Sequence, residues 1–365
     1  MIEETVRWIY RLKSVWAVLL ALLCGALLIT LTGGDPILAY RELFAGAYFD
    51  YWGLSATVVK LSPLLLAGLA VALPLRAGLF NIGAEGQIYI GGLFTTLIAL
   101  YGPPLPGWLG IPVASAAGML GGALWALIPA VLKAYRDINE VIVTLLLNYV
   151  AINLVSYAVS GPIMAPDAPY PYSPEVDRSL WLPYVMPQTD AHLGAIIALA
   201  AALGLYGVFR YTSVGFSLGT VGSNPRAAEY AGMSVRQHIL FSMLAGGALA
   251  GLAGAFEVLG LKHRLFHLFS AGYGYDGIVI AFLATGNALG CIIAAGFLAG
   301  LESGANMMQR AAGVPVTVIE AVKGLVVIFV AASLAFTFHR SYWARVLQRR
   351  REISLAWKGA GEEGR

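Results

Sequence analysis

Asn81, Glu85 and Gln87 stand in "LFNIGAEGQIYIGG" (Leu79–Gly92), between long apolar runs. A carboxylate and two amides among glycines can do one of two things there. They can rebind backbone groups freed where glycine weakens a helix, or they can offer hydrogen bonds to a passing polar solute. Irregular backbone at membrane depth is tolerated only inside protein or along a water-filled cavity. The stretch is therefore expected to shape a translocation path, with Glu85 either a structural acceptor or a needed charge. A second group is Tyr149, Asn153, Ser156 and Tyr157, which share one side of a helix at 100° per residue, with Thr144 and Asn148 on another flank. Ring faces beside amide and hydroxyl groups suit a sugar or a nucleoside; hydrogen bonding between helices is the plainer alternative. A third is "AGYGYDG" (Ala271–Gly277), holding Tyr275 and Asp276, which echoes "AGLFNIG" (Ala77–Gly83) in glycine placement. Paired interrupted segments in a transporter point to its binding region. The expected path residues are thus Asn81, Glu85, Gln87, Tyr149, Asn153, Tyr157, Tyr275 and Asp276. His263 and His267 have metal-ligand spacing, but Lys262, Arg264 and Phe266 around them mark an interface with the headgroups, and no metal is expected. There is no GxSxG or HExxH, so no catalytic residue is assigned.

The elements that carry these groups follow from composition. Hydrophobic residues make up 59% of the 365, charged residues only 12%, and mean hydropathy is +0.75. A soluble domain carries about 25% charged residues. An all-α, polytopic transmembrane bundle is expected, as a single transmembrane domain over residues 1–365. Apolar runs place spans near Val15–Leu31, Leu54–Leu75, Leu79–Tyr101, Ile111–Leu132, Ile138–Ser160, Ala191–Phe209, Ile239–Gly260 and Val314–Phe338. Gly277–Ser303 reads as broken, either re-entering or crossing twice, for about nine or ten helices in all. "LTGGDP" lacks a small-x-small cleavage pattern, so the first span is expected to be retained. Cys24 and Cys291 both lie in apolar runs, and no disulfide is expected. Small-residue pairs such as Gly118/Gly122, Gly247/Gly251 and Gly296/Gly300 read as helix-packing surfaces.

Basic residues orient the chain. With residues 1–14 cytoplasmic, Arg76, Lys133, Arg136, Arg210, Arg226, Arg236 and the "VLQRRR" tail (339–365) fall inside, while Arg41, Arg178, Lys262, Arg264 and Arg310 fall outside. Both termini are then cytoplasmic, and the tail anchors near anionic lipid rather than nucleic acid. The outer loop 161–190, proline-rich with interleaved aromatics, reads as an extended cap. The inner loop 210–238 contains "GSNPRAAEYAGMSV". Asn224 suits an N-cap, Pro225 the first helical position and Gly232 a C′ terminator. The helix between them is too short to stand alone in water. It must rest on its own membrane domain or dock on a cytosolic partner.

"LFNIGAEGQIYIGG", "VGSNPRAAEYAGMSV", "GYGYDGIVIAFLATGNALG" and "ANMMQRAAGVP" resemble permease subunits of bacterial ABC importers, in the superfamily serving branched-chain amino acids, monosaccharides and nucleosides. The nucleoside branch is the most similar, and the likeness runs in order from about Leu61 to Val330. It implies a bacterial inner-membrane subunit working beside a second, paralogous permease, two cytosolic ATPases and an external binding protein. It also implies that Asn224, Pro225, Arg226, Ala227, Ala228, Glu229, Tyr230, Ala231 and Gly232 couple to the ATPase. The chain has no GxxxxGK[ST] loop, so ATP and Mg are expected on the partner ATPase and no cofactor in this chain. The alternative is an ion-coupled secondary transporter relying on Glu85, Glu257, Glu302 or Glu320; an intramembrane enzyme would need a nucleophile–base pair that the sequence does not offer.

Overall fold

Half of the α-helices between Lys13 and Ala312 start at a capping side chain. The computed structural model describes residues 13–166, 168–330 and 332. They fall into two units, one holding the described residues up to Thr32 and from Thr317 onward, the other Gly33–Val316. In the first, α1 (Lys13–Leu31) buries Ala17, Ala21, Gly25 and Ile29, one stripe at a spacing of four. The helix at 317–330 buries Val318, Val322, Val326 and Val330 in the same way. The expected N-terminal segment 1–14 falls largely, and the basic tail wholly, outside the described residues, as does the end of the last span.

In the second unit, Asp35 accepts from the amides of Ile37 and Leu38 and starts α2 (Pro36–Tyr48). Asp50 starts α3 (Tyr51–Arg76). Next come α4 (Ala84–Tyr101) and α5 (Gly107–Arg136). Asn139 caps α6 (Glu140–Ser160), and α7 (Gly194–Tyr211) follows the outer loop. Thr212 caps α8 (Ser213–Ser223), and Asn224 caps α9 (Pro225–Tyr230). Then α10 (Val235–Phe256) runs on as a π turn over Glu257–Lys262, ahead of α11 (Tyr273–Leu283) and α12 (Ala288–Ala312), the last capped by Asn287. No strand occurs among the described residues.

The core sits where α10 meets α3, α4 and α5. Gly118 and Gly122 of α5 lie against Gly247 and Gly251 of α10, and Gly91 of α4 meets Gly251 from the other side. Backbones touch with no side chain between them, as the small-residue pairs led one to expect. Gly296/Gly300 is the exception. Gly300 packs on the Tyr48 ring, but Gly296 faces open space and only its carbonyl is used, accepting from the Tyr48 hydroxyl at 2.9 Å.

Six helices among the described residues are long and apolar enough to cross a membrane: α3, α5, α6, α7, α10 with its π turn, and α12. This is fewer than the expected nine or ten. The expected span Leu79–Tyr101 becomes helical only at Ala84, because Asn81 and Gly83 hold the preceding residues in a turn. The broken segment resolves into α11 and α12. With 11 residues, α11 is ~16 Å long, about half the ~30 Å hydrocarbon thickness. Two helices were not expected at all. Arg41 and Glu42 interrupt the apolar run of α2, and Gly215, Gly219 and Gly222 dilute that of α8.

The outer loop is fastened to the segment after the π turn. Backbone bonds join Ser173 to Leu265, Val176 to His263 and Leu182 to Leu259, and Arg264 pairs with Glu175 at 2.6 Å. The His263 ring stacks on Trp181 at 3.6 Å, while His267 meets Ser156 at 2.7 Å. The two histidines thus have different partners.

Candidate functional site

Five residues after α3 ends, Asn81 turns the chain back on itself. Its amide nitrogen donates to Ala70 O of α3 at 3.3 Å and to Gln87 Oε1 at 2.9 Å. Gln87 Nε2 returns a bond to Asn81 Oδ1 at 3.0 Å, and Gly83 N donates to the same oxygen at 3.2 Å. A helix start leaves its first N–H groups without partners inside the helix. At α4 they are met from a neighbouring element: Asn148 of α6 accepts from Gly86 N at 2.8 Å and donates to Ile82 O at 2.9 Å. Asn148 belongs to the buried stripe Thr144, Asn148, Ala151, Val155 and Val159. The absence of a Cβ at Gly86 lets Asn148 come this close.

The second break is built on the first. Gly272 begins α11 with no side-chain cap of its own. Glu85 of α4 supplies one: its Oε2 accepts from Gly274 N at 2.7 Å, with the Ser270 hydroxyl and the Gly272 backbone also facing the carboxylate. Gly274 lies against the backbone of Ala84 and Glu85, and a Cβ there would lie 2.8 Å from the Ala84 carbonyl carbon. Three residues on, Gly277 touches the Ala67 backbone of α3. Two helix N-termini therefore meet at one carboxylate, which both helix dipoles favour. Ala271–Gly277 thus meets Ala84 and Glu85, the residues that directly follow Ala77–Gly83, the segment it echoes in the sequence.

The eight expected path residues separate into two sets. Asn81, Glu85 and Gln87 are at most 2% exposed within the chain, so they hold the junction in shape from inside. Tyr149, Asn153 and Tyr157 point outward from α6, opposite its buried stripe, and Tyr275 of α11 is also exposed. Tyr275 faces both the Asn148 amide and Tyr149. Phe80 and Phe282 meet with ring centroids 5.7 Å apart and planes tilted by 49°. Asn153 donates back to Tyr149 O at 2.7 Å, and Asp276 is half-buried one residue past Tyr275. An exposed aromatic face with amide and hydroxyl groups thus lies directly over the buried junction. Asn148, which links the two, was grouped in the sequence only as a flank residue; being one of two amides in an otherwise apolar helix is the signal that marks it.

At the opposite end of the α10 seam, the inner loop has the caps its sequence implied. Asn224 Oδ1 accepts from Ala227 N at 3.1 Å. Gly232 N bonds Glu229 O and Met233 N bonds Ala228 O, a Schellman closure with Gly232 at φ +80°. The faces of α9 are unequal. Ala228 is wholly buried against its own chain, while Tyr230 is 92% exposed and Arg226, Ala227, Glu229 and Ala231 are also outward. Ala228 therefore cannot touch a cytosolic partner in this arrangement, contrary to its inclusion in the coupling surface. Its small size seats α9 against its own chain and leaves the other residues exposed.

Residues 53–331 match the family described as "Branched-chain amino acid transport system / permease component". The chain is 38% identical over 343 residues to the glucose ABC transporter permease protein TsgB13 of Haloferax volcanii, covering 91% of this chain and 90% of that one. It is 37% identical over 328 residues to the guanosine ABC transporter permease protein NupP of Bacillus subtilis, covering 88% and 93%. It is 30% identical over 324 residues to the nucleoside ABC transporter permease protein NupB of Lactococcus lactis, covering 86% and 89%. The first two organisms each hold a second, more distant permease relative, TsgC13 at 29% and NupQ at 25% identity. No solved structure matches the chain. A multi-pass helical protein with these relatives, and with the family match spanning most of its length, belongs to the family of branched-chain amino acid transport system permease components.

Proposed function

We propose that this chain is the permease subunit of an ATP-driven importer in a bacterial inner membrane, and that it passes nucleosides or a related sugar received from an external binding protein. The carrying observation is that exposed Tyr275, next to half-buried Asp276, faces Tyr149 beside the Glu85–Gly274 junction, with Asn153 and Tyr157 exposed further along α6. A flat base stacks on rings and a ribose bonds amides and hydroxyls, and the names of NupP, NupB and TsgB13 support that class of solute. The face is the wall of the path, opposite a second, paralogous permease. Asn81, Glu85 and Gln87 set its shape from behind. Crossings by α1, α4, α11 with the segment before it, and the helix at 317–330 bring the chain to ten spans, an even number that leaves both termini cytoplasmic. At that side Asn224–Gly232, apart from buried Ala228, docks on the ATPase that binds ATP and Mg.

Asn153 tests the wall directly. Its amide bonds Tyr149 O of its own helix and lies on the outer face, so Asn153→Leu should fold and retain the ATPases. Uptake should fall roughly 10-fold, the equivalent of losing one polar contact of about 1.4 kcal/mol. Wild-type uptake by Asn153→Leu at matched expression would remove Asn153 from the path.

A further inference from the structure

Between the inner loop and the broken start of α4 lies a joint made of a backbone contact and an ion pair. We propose that Glu140 and Lys133, together with the Gly78–Gly222 contact, carry the movement of the α8–α9 loop into the helix junction; this rests on α9 being the ATPase-docking element. Gly222 is two residues before the Asn224 cap, and Gly78 follows the end of α3. A Cβ on Gly78 would lie 3.2 Å from the Gly222 Cα, and one on Gly222 would lie 2.9 Å from the Gly78 nitrogen. The two backbones touch with nothing compressible between them, and Gly78 holds φ +79°. Close-packed contacts of this kind pass displacement on rather than absorb it.

Two residues further, Phe80 N donates to Glu140 Oε1 at 3.4 Å. The other oxygen of Glu140 is 3.2 Å from Lys133 Nζ, which also holds Asp137 at 2.9 Å. The Glu140 side chain is only 10% exposed. It thus pins the returning segment to the last turn of α5 and the first of α6 at once. A cleft of about 450 Å³ opens beside this pin, and α9 contributes Pro225 and Glu229 to its wall. The cleft gives the loop room to shift while the glycine contact keeps it engaged. From Phe80 the path is one residue to Asn81, which bonds the Gln87 side chain on the first turn of α4; Asn148 braces the same turn at Gly86 N, and Glu85 of that turn holds Gly274. A push at Gly222 therefore reaches the start of α11 and Tyr275 through bonded groups.

The importer reconstituted with its second permease, ATPases and binding protein tests this. Glu140→Gln keeps the shape but weakens the hold on Lys133. It should assemble normally and hydrolyse ATP within about twofold of wild type, while uptake per ATP falls ~10-fold, inside the usual range of coupling effects. Lys133→Met should behave likewise, and Lys133→Arg, which keeps the cation, should couple as wild type does. A merely structural pair would lower yield in all three without changing the ratio of uptake to hydrolysis. Gly222→Ala, which wedges a methyl into the contact, should also lower that ratio. Unchanged uptake per ATP in assembled Glu140→Gln and Lys133→Met would overturn the joint. Tyr230→Glu separates the two ideas: retention of the ATPases and of uptake by that variant would overturn the docking role of α9 instead.

Discussion

At the scale of single residues, Glu85 and Asn148 have the same task from opposite sides. Each is a buried polar group whose partners are backbone atoms at a helix start, Gly274 N for one and Gly86 N with Ile82 O for the other. A buried N–H left without an acceptor costs about 1–3 kcal/mol. Glu85→Gln keeps one acceptor oxygen for Gly274 and is expected to preserve assembly and most uptake. Glu85→Leu strands that N–H and should lower the thermal stability of the purified complex by about that amount. Collapse of uptake in a stable, assembled Glu85→Gln complex would instead mean that the charge itself acts in transport. Glu85 was conspicuous in the sequence because it is an acid between apolar runs. Glu140 was not, because an acid just after an N-cap such as Asn139 is commonplace at a helix start.

The elements differ in how plainly the sequence announces them. Long apolar runs mark α3, α5, α6, α7 and α10 to within a few residues, since lipid demands length and leaves little choice of composition. Caps mark α9 down to its Schellman glycine. What local pattern cannot supply is the meeting of α4 and α11, because a contact between residues 85 and 274 is decided by packing, and two glycine-rich strings only hint at it. The same limit explains Ala228. Small residues on a short helix suit any groove, and only the fold shows that this one faces its own permease. The expected outcome of substitution changes accordingly. Ala228→Trp forces a large ring into a fully buried site and should unseat α9, lowering the yield of the permease itself rather than only its hold on the ATPase. Gly232→Val places a β-branched residue at φ +80°, a strain of about 1–3 kcal/mol. It should reduce ATPase co-purification while the membrane domain remains intact in detergent. Normal yield for Ala228→Trp with selective loss of the ATPase would mean that this residue faces the partner after all.

For the molecule as a whole, the arrangement is a rigid seam with a broken one beside it. The glycine-packed contact of α5, α10 and α4 admits little adjustment, whereas the α4–α11 junction is held by a handful of hydrogen bonds and opens toward an exposed aromatic face. The inner loop touches Gly78, ahead of the junction, through Gly222 and carries the exposed side of α9. The paired permease relatives in two organisms agree with the proposed second permease. The most direct measurement is uptake of a labelled nucleoside into proteoliposomes holding this chain, a second permease and the ATPases, with the binding protein added outside. The account predicts uptake that requires ATP and both partner subunits and that survives dissipation of every ion gradient. Uptake by this chain alone, driven by an ion gradient without ATP, would contradict it.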